Sequence, residues 1–211
     1  MSEAKFKTMR HIETVRNFLG VIVKELVTRA ELHDQSKLQP PESDILEVMT
    51  PKLRGLTYGS PEYRESMKAM KPMTEHHYAH NRHHVEYFKP WRCVHCKGTF
   101  TDDEAPPAFG KVEGDDLHEK RFCPTCCRGA VIYECELVPQ PEGIDAMNLI
   151  DVLEMLVDWK AAGLRHHDGD IFKSIEINQK RYGFSDELRS LLVNTAEWMN
   201  GQPVTHHAEE S

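Results

Sequence analysis

The chain has 211 residues, 39% of them hydrophobic and 28% charged, with a formal net charge of −8. That length holds one substantial core plus a small module, and the composition is that of a soluble globular protein rather than a disordered chain. The acidic balance argues against broad attachment to nucleic acid or anionic lipid, which need a basic surface to displace counterions. No apolar run reaches the roughly 18 residues needed to span a bilayer. The opening MSEAKFKTMRHIE lacks the apolar stretch of a secretory signal, so a cytoplasmic location with reduced thiols is expected. Six cysteines then point to metal before disulfides, and thirteen histidines are the compositional anomaly.

From Met9 to about Leu32, Ile12, Val15, Leu19, Ile22, Val23 and Leu26 recur at the spacing of one helical face. His11, one turn before Val15, is expected to point toward the same interior. Pro40 and Pro41 end this helix, because consecutive prolines cannot continue its hydrogen-bond ladder. Residues 43–50 read as a short helix, and 61–88 as a longer helical region broken or kinked near Pro72. That region carries His76, His77, His80, His83 and His84.

Between Lys89 and Glu142 cysteines, prolines, glycines and acidic clusters replace the amphipathic pattern, which predicts an insertion of short strands and loops. Seven Lys and Arg against ten Asp and Glu give this segment about −3, which weakens a DNA-binding reading. Helical pattern returns at 147–164, 170–182 and 185–199, with Gly183 and Ser185 marking a stop and restart between the last two. Asp168 and Asp170, around Gly169, read as a turn and helix cap, with His166 or His167 as further metal candidates. His206 and His207 belong to a solvated tail.

Cys93 and Cys96 form one CxxC knuckle, and Cys123 and Cys126 a second. Each short turn directs both sulfurs toward one point, so the two can surround zinc tetrahedrally. Cys127 is an alternative to Cys126, His95 a competing ligand, and Cys135 reads as a small core residue. Four protein ligands leave zinc no open position, so this site stabilises an insertion and catalysis must lie elsewhere.

His33 and Asp34 form the second constellation, with His11 upstream, the histidine cluster downstream, and Asp151 on a later helix. Asp151, Glu154 and Asp158 fall at i, i+3 and i+7 and so share one face of an otherwise apolar helix, where metal is one partner that suits buried acids. A solvated acidic face is the alternative for Glu154 and Asp158. On a helix, His77, His80 and His84 also make one stripe of nitrogen donors, of which one or two would be ligands and others would orient them.

The order His11, His33-Asp34, Asp151 resembles the HD-domain superfamily, whose metal site follows H…HD…D and whose members are mostly phosphohydrolases. HDQSK is similar to the HDxxK form of HD-GYP-like members, which would give Lys37 a contact with phosphate or the nucleophilic water. HNRHHVEYF resembles the additional histidines of binuclear HD proteins. The segments KPMTEHHYAHNRHHVEYF and MNLIDVLEMLVDWKAAGLRHHDGDIFKSIEINQKRYGFSDEL are similar to a family of phage and bacterial proteins with an HD-like core. The GYP motif is absent, which sets cyclic-dinucleotide hydrolysis aside.

The resemblance implies a mainly α fold: an HD-domain-like helical bundle of residues 1–88 and 143–205, an inserted zinc-ribbon-like module at 89–142, and a tail at 206–211. It implies one or two divalent ions (Mn, Co, Mg, Fe or Zn) held by His11, His33, Asp34 and Asp151 together with His77, His83 and His84. Asp34, Lys37, His84 and Glu154 are the catalytic candidates. The expected activity is hydrolysis of a nucleotide or related phosphate ester by metal-activated water, with Arg82, Arg165, Lys173, Lys180 and Arg181 as anion candidates. The expected partners are that small molecule and a second copy of the chain, without membrane or nucleic acid. An HD-type di-iron oxygenase and a non-enzymatic adaptor with structural metals are the competing readings.

Overall fold

Ser2 opens the first helix: its hydroxyl accepts from the Lys5 amide at 3.3 Å, which satisfies one otherwise orphaned N–H of the first turn. The helix it starts, α1 (Glu3–Leu32), runs for 30 residues. The computed structural model describes residues 2–54, 56, 61–105, 111–112, 115–116, 121–126, 135–164 and 169–203. Cys127, Arg165, His166, His167, Asp168 and the 206–211 tail lie outside the described residues. The described part contains seven α-helices and two small sheets, and none of its helices is long and apolar enough to cross a membrane.

After α1 the chain turns at Asp34, a non-glycine residue in the left-handed region (φ 56°), and makes a single 3-10 turn over Gln35–Leu38. Helix α2 (Glu42–Arg54) follows the two prolines. The region predicted as one kinked helix is two, α3 (Pro61–Ala69) and α4 (Lys71–His80). The break falls at Met70, and Pro72 sits in the first turn of α4, where its missing N–H costs no helical bond. Met49, Met70 and Met73 are buried together, with Ile45, Leu46 and Leu53 packed against them.

The cysteine segment forms a three-stranded antiparallel sheet of β1 (Trp91–Cys93), β2 (Thr99–Phe100) and β5 (Leu137–Pro139) in the order β2-β1-β5, and a separate hairpin of β3 (Lys111–Val112) and β4 (Asp115–Asp116). Cys93, Ala105, Cys123, Cys135 and Leu137 form its buried centre, which agrees with the expected core role of Cys135. Gly143–Ala146 makes a 3-10 turn before α5 (Leu149–Gly163), α6 (Ile171–Tyr182) and α7 (Asp186–Asn200).

The caps read from sequence are present. Asp170 accepts from the Phe172 amide at 2.9 Å, Gly183 ends α6 at φ 68°, and Ser185 accepts from the Leu188 amide at 3.3 Å.

The chain divides into two units, residues 1–151 and 152–211, a division that falls within the helical segment expected to join residues 1–88. In the second unit Val152, Met155, Leu156, Ile171, Ile175, Phe184, Leu192 and Ala196 are buried. In the first, α1 departs from expectation: none of its residues is buried, and Phe6, Met9, Ile12, Val15, Leu19 and Ile22 are all more than 40% exposed. Periodicity located the apolar face, but it cannot say what that face packs against.

Candidate metal centres

The cysteine site begins with two tight turns. In the first, the His95 and Cys96 amides donate to Cys93 Sγ at 3.4 and 3.5 Å; in the second, the Cys126 amide donates to Cys123 Sγ at 3.5 Å. These bonds hold sulfur as an acceptor, as a thiolate requires. Cys93 and Cys126 Sγ are 3.6 Å apart, as are Cys96 and Cys123 Sγ. Bonds of about 2.3 Å to a tetrahedral zinc would put sulfurs roughly 3.8 Å apart, so the four thiols fit such an ion with little adjustment. Burial pushes the Cys123 thiol up, but donation from the Cys126 and Thr125 amides prevails and brings it down to about 7. Burial and the neighbouring thiols push Cys126 the other way. His95 is exposed and does not belong to the group of four cysteines, which could hold a metal such as zinc.

The second centre lies where α1, α2 and α4 end or begin. Asp34 Oδ1, buried and accepting no hydrogen bond among the described residues, faces His77 Nε2 at 3.3 Å and His83 Nε2 at 3.5 Å. His77 Nε2 is also 2.9 Å from His84 Nε2. The donor atoms of Asp34, His77, His83 and His84 all lie within 4.8 Å of one another.

Glu42 explains the orientation. It is fully buried at the start of α2, with Oε1 2.7 Å from His76 Nδ1, and Oε2 2.9 Å from His77 Nδ1 and 3.1 Å from Ser36 Oγ. The two Asn81 amide protons go to the His77 carbonyl and Ser36 Oγ, both at 2.8 Å. That leaves Glu42 to accept the His77 Nδ1 proton, which turns the Nε2 lone pair of a neutral imidazole toward Asp34 and His84. A carboxylate behind a ligating histidine is the usual support of a metal-bound imidazole.

Burial raises the Asp34 carboxyl, but the Lys37 ammonium, 2.5 Å from Oδ2, together with His33, holds it well below the usual range. Glu42 is likewise held low, burial being outweighed by His76, Ser36 and His77. An anionic oxygen and three ring nitrogens aimed at one point, with a buried oxygen lacking a proton donor, suit a divalent cation.

Several residues expected here stand elsewhere. His11 is exposed on α1 and absent from the cluster. His33 borders the cluster, its ring 4.5 Å from that of His83 and its Nε2 3.6 Å from Asp34 Oδ2. His84 does not continue a helical stripe: Asn81, in extended conformation, ends α4, and His83 and His84 return toward His77 on the following loop. His80 is exposed and bonds the His76 carbonyl instead.

Asp151 is an ion-pair anchor. Its fully buried carboxylate takes Arg29 Nη2 at 2.8 Å and Arg82 Nε and Nη2 at 3.1 and 2.9 Å. It also accepts from the Asn148 amide at 3.1 Å while Asn148 Oδ1 accepts from the Asp151 amide at 3.0 Å, a reciprocal cap on α5. Asp151 thereby ties the end of α1 and the histidine-bearing loop to the start of α5. Glu154 and Asp158 are half-buried on α5 in the 152–211 unit.

Glu42, Ser36 and Asn81 were not legible as functional residues. An acidic residue after two prolines reads as an ordinary helix start, and nothing local marks this one as buried.

No curated protein and no solved structure matched the chain. One family model matches residues 1–103 and 133–200. The match includes Asp34, the histidine cluster and the first cysteine knuckle, whereas Cys123 and Cys126 fall in the stretch between its two parts. With most of its length matched, the chain belongs to the family of unknown function DUF5662.

Proposed function

We propose that the chain is a metal-dependent phosphohydrolase that cleaves a nucleotide or related phosphate ester with metal-activated water. The observation that carries this reading is the convergence of Asp34, His77, His83 and His84 with Glu42 behind His77. A divalent ion held there would lower the pKa of bound water and polarise a phosphoryl oxygen. Four protein ligands would close a tetrahedral zinc but leave two positions on a six-coordinate manganese, cobalt, magnesium or iron ion, so the reading favours six-coordination.

Lys37 fixes one Asp34 oxygen and presents positive charge beside the centre, suited to an anionic substrate. Glu42 orients His77, and Asp151, through Arg82, holds the loop that carries His83 and His84. The four-cysteine site takes structural zinc and no part in the chemistry. A small-molecule phosphate ester as partner, a homodimeric state and a cytoplasmic setting complete the proposal.

The test is phosphate release from nucleoside mono- and triphosphates with added manganese, cobalt or magnesium, comparing wild type with Asp34→Ala. Release by wild type and its loss in the variant is the expected result. No release from any metal-loaded sample, or equal release by both proteins, overturns the proposal.

A further inference from the structure

Arg82 precedes His83 directly, and its side chain enters a different space: a cleft of about 510 Å³ between the 82–88 segment and the β2-β1-β5 sheet. The volume is that of a small-molecule site. One wall is rigid and aromatic. The Arg82 guanidinium, held by its two bonds to Asp151, lies over the Tyr87 and Phe88 rings, 5.2 and 5.0 Å from their centroids.

The opposite wall is polar. Arg92 and Thr99 are directly paired across β1 and β2, so their side chains share a face. Arg92 is exposed and has no ion-pair partner among the described residues. The Gln140 amide donates to the Lys89 carbonyl at 2.7 Å, which leaves its oxygen as an acceptor. Asp145 supplies a carboxylate at the rim.

We infer that this cleft is a nucleoside monophosphate site, separate from the metal centre, in which Arg92 and Thr99 take the phosphate and the Tyr87–Phe88–Arg82 wall stacks the base. Three observations set the ligand class. The wall offers π-faces and a flat guanidinium, on which a heteroaromatic base stacks without needing a particular sequence of donors. Arg92, in the same lining and without an ion-pair partner among the described residues, is flanked by the Thr99 hydroxyl, a combination that suits phosphate oxygens. The field is modest, since Asp151, shared with Arg29, offsets part of the Arg82 charge and the Asp145 carboxylate also lines the cleft, which suits one phosphate better than three. The Asp145 carboxylate and Gln140 oxygen can accept from ribose hydroxyls.

The inference goes beyond the phosphohydrolase reading and stands without it. Its test is isothermal titration of the full zinc-loaded chain with the four common nucleoside monophosphates, ribose 5-phosphate and inorganic phosphate. At least one nucleotide is expected to bind at least tenfold more tightly than ribose 5-phosphate or inorganic phosphate. Arg92→Ala, at an exposed strand position, should weaken that binding at least tenfold with an unchanged circular dichroism spectrum, and Asp34→Asn should leave it within twofold. Absence of nucleotide binding, equal binding of inorganic phosphate, or an unaffected Arg92→Ala overturns the inference. Loss of binding in Asp34→Asn also overturns it, by placing the nucleotide at the metal centre, whereas failure of phosphate release with nucleotide binding intact counts only against the phosphohydrolase.

Discussion

Replacing Glu42 with glutamine tests how the histidine centre is held together. The carboxylate accepts from His76, His77 and Ser36 at 2.7, 2.9 and 3.1 Å, and it is fully buried. Glutamine keeps the shape but offers one acceptor oxygen, so its amide protons face one of the two imidazoles. Either His76 or His77 must then change tautomer or swing away. If His77 changes, its Nε2 gains the proton and its lone pair toward Asp34 is lost. Removing a support of this kind weakens metal binding about 10- to 100-fold, or about 1.4 to 2.7 kcal/mol. The assay is cobalt titration against a chromophoric chelator, with the cysteine site already filled with zinc so that only the histidine centre responds. An unchanged cobalt affinity both in Glu42→Gln and in a folded Glu42→Leu protein, which offers His77 no acceptor at all, would refute the assigned orientation of His77.

Four further outcomes are expected. Asp151→Asn, which loosens the hold on the partly exposed Arg29 and Arg82, should lower stability by about 1 to 3 kcal/mol in denaturant titration, and a cobalt ion at the histidine centre should keep its ligand set in X-ray absorption; loss of one oxygen ligand would instead make Asp151 a ligand, as the H…HD…D order implies. Cys96→Ser should remove one metal equivalent and change the emission of Trp91, which packs against the buried cluster containing Cys93 and Cys123, and retention of that equivalent would count against a four-sulfur site. Ile12→Lys, on the exposed face of α1, should change stability by less than about 0.5 kcal/mol, and a drop of several kcal/mol would show that this face is covered. Glu104, bonded to Lys89 at 2.8 Å and to the Thr101 amide at 2.7 Å, has its carboxyl held low against the effect of burial. A lowered folded value stabilises above the unfolded one, so this contribution should be present above pH 4.5 and fade as acidification passes the folded value; Glu104→Gln should flatten that part of the stability profile, and an unchanged slope would remove Glu104 as its source.

The parts of the molecule legible in the sequence are those fixed by local chemistry. A CxxC turn brings its own sulfurs together, and Asp170, Gly183 and Ser185 act within their own helix ends. Asp34, beside His33, and His77, His83 and His84, in a stretch dense in histidine, were identifiable as candidate ligands from the sequence.

Long-range pairing was not legible. Asp151 stood out as an acid on an apolar helix in need of a partner, yet metal and arginine satisfy it equally in sequence terms. Its partner Arg29 is 122 residues away. The helical stripe through His84 was misplaced because Asn81 ends α4, a change of direction that periodicity averages over. Similarly, an H…HD…D order does not require the residues to meet: His11 and Asp151 keep the order while the candidate ligand group joins Asp34 to His77, His83 and His84 instead.

Whether Asp34, His77, His83 and His84 bind a metal ion decides the reading of the histidine centre. The most direct measurement is the metal content per chain of wild type and a His77→Ala/His84→Ala double variant, after reconstitution with zinc and then cobalt, with X-ray absorption to identify the cobalt ligands. A sulfur-bound zinc is expected in both proteins, and in wild type alone a cobalt ion coordinated by nitrogen and oxygen. Equal cobalt content in the two proteins, or wild type with no metal beyond the sulfur site, would contradict that reading.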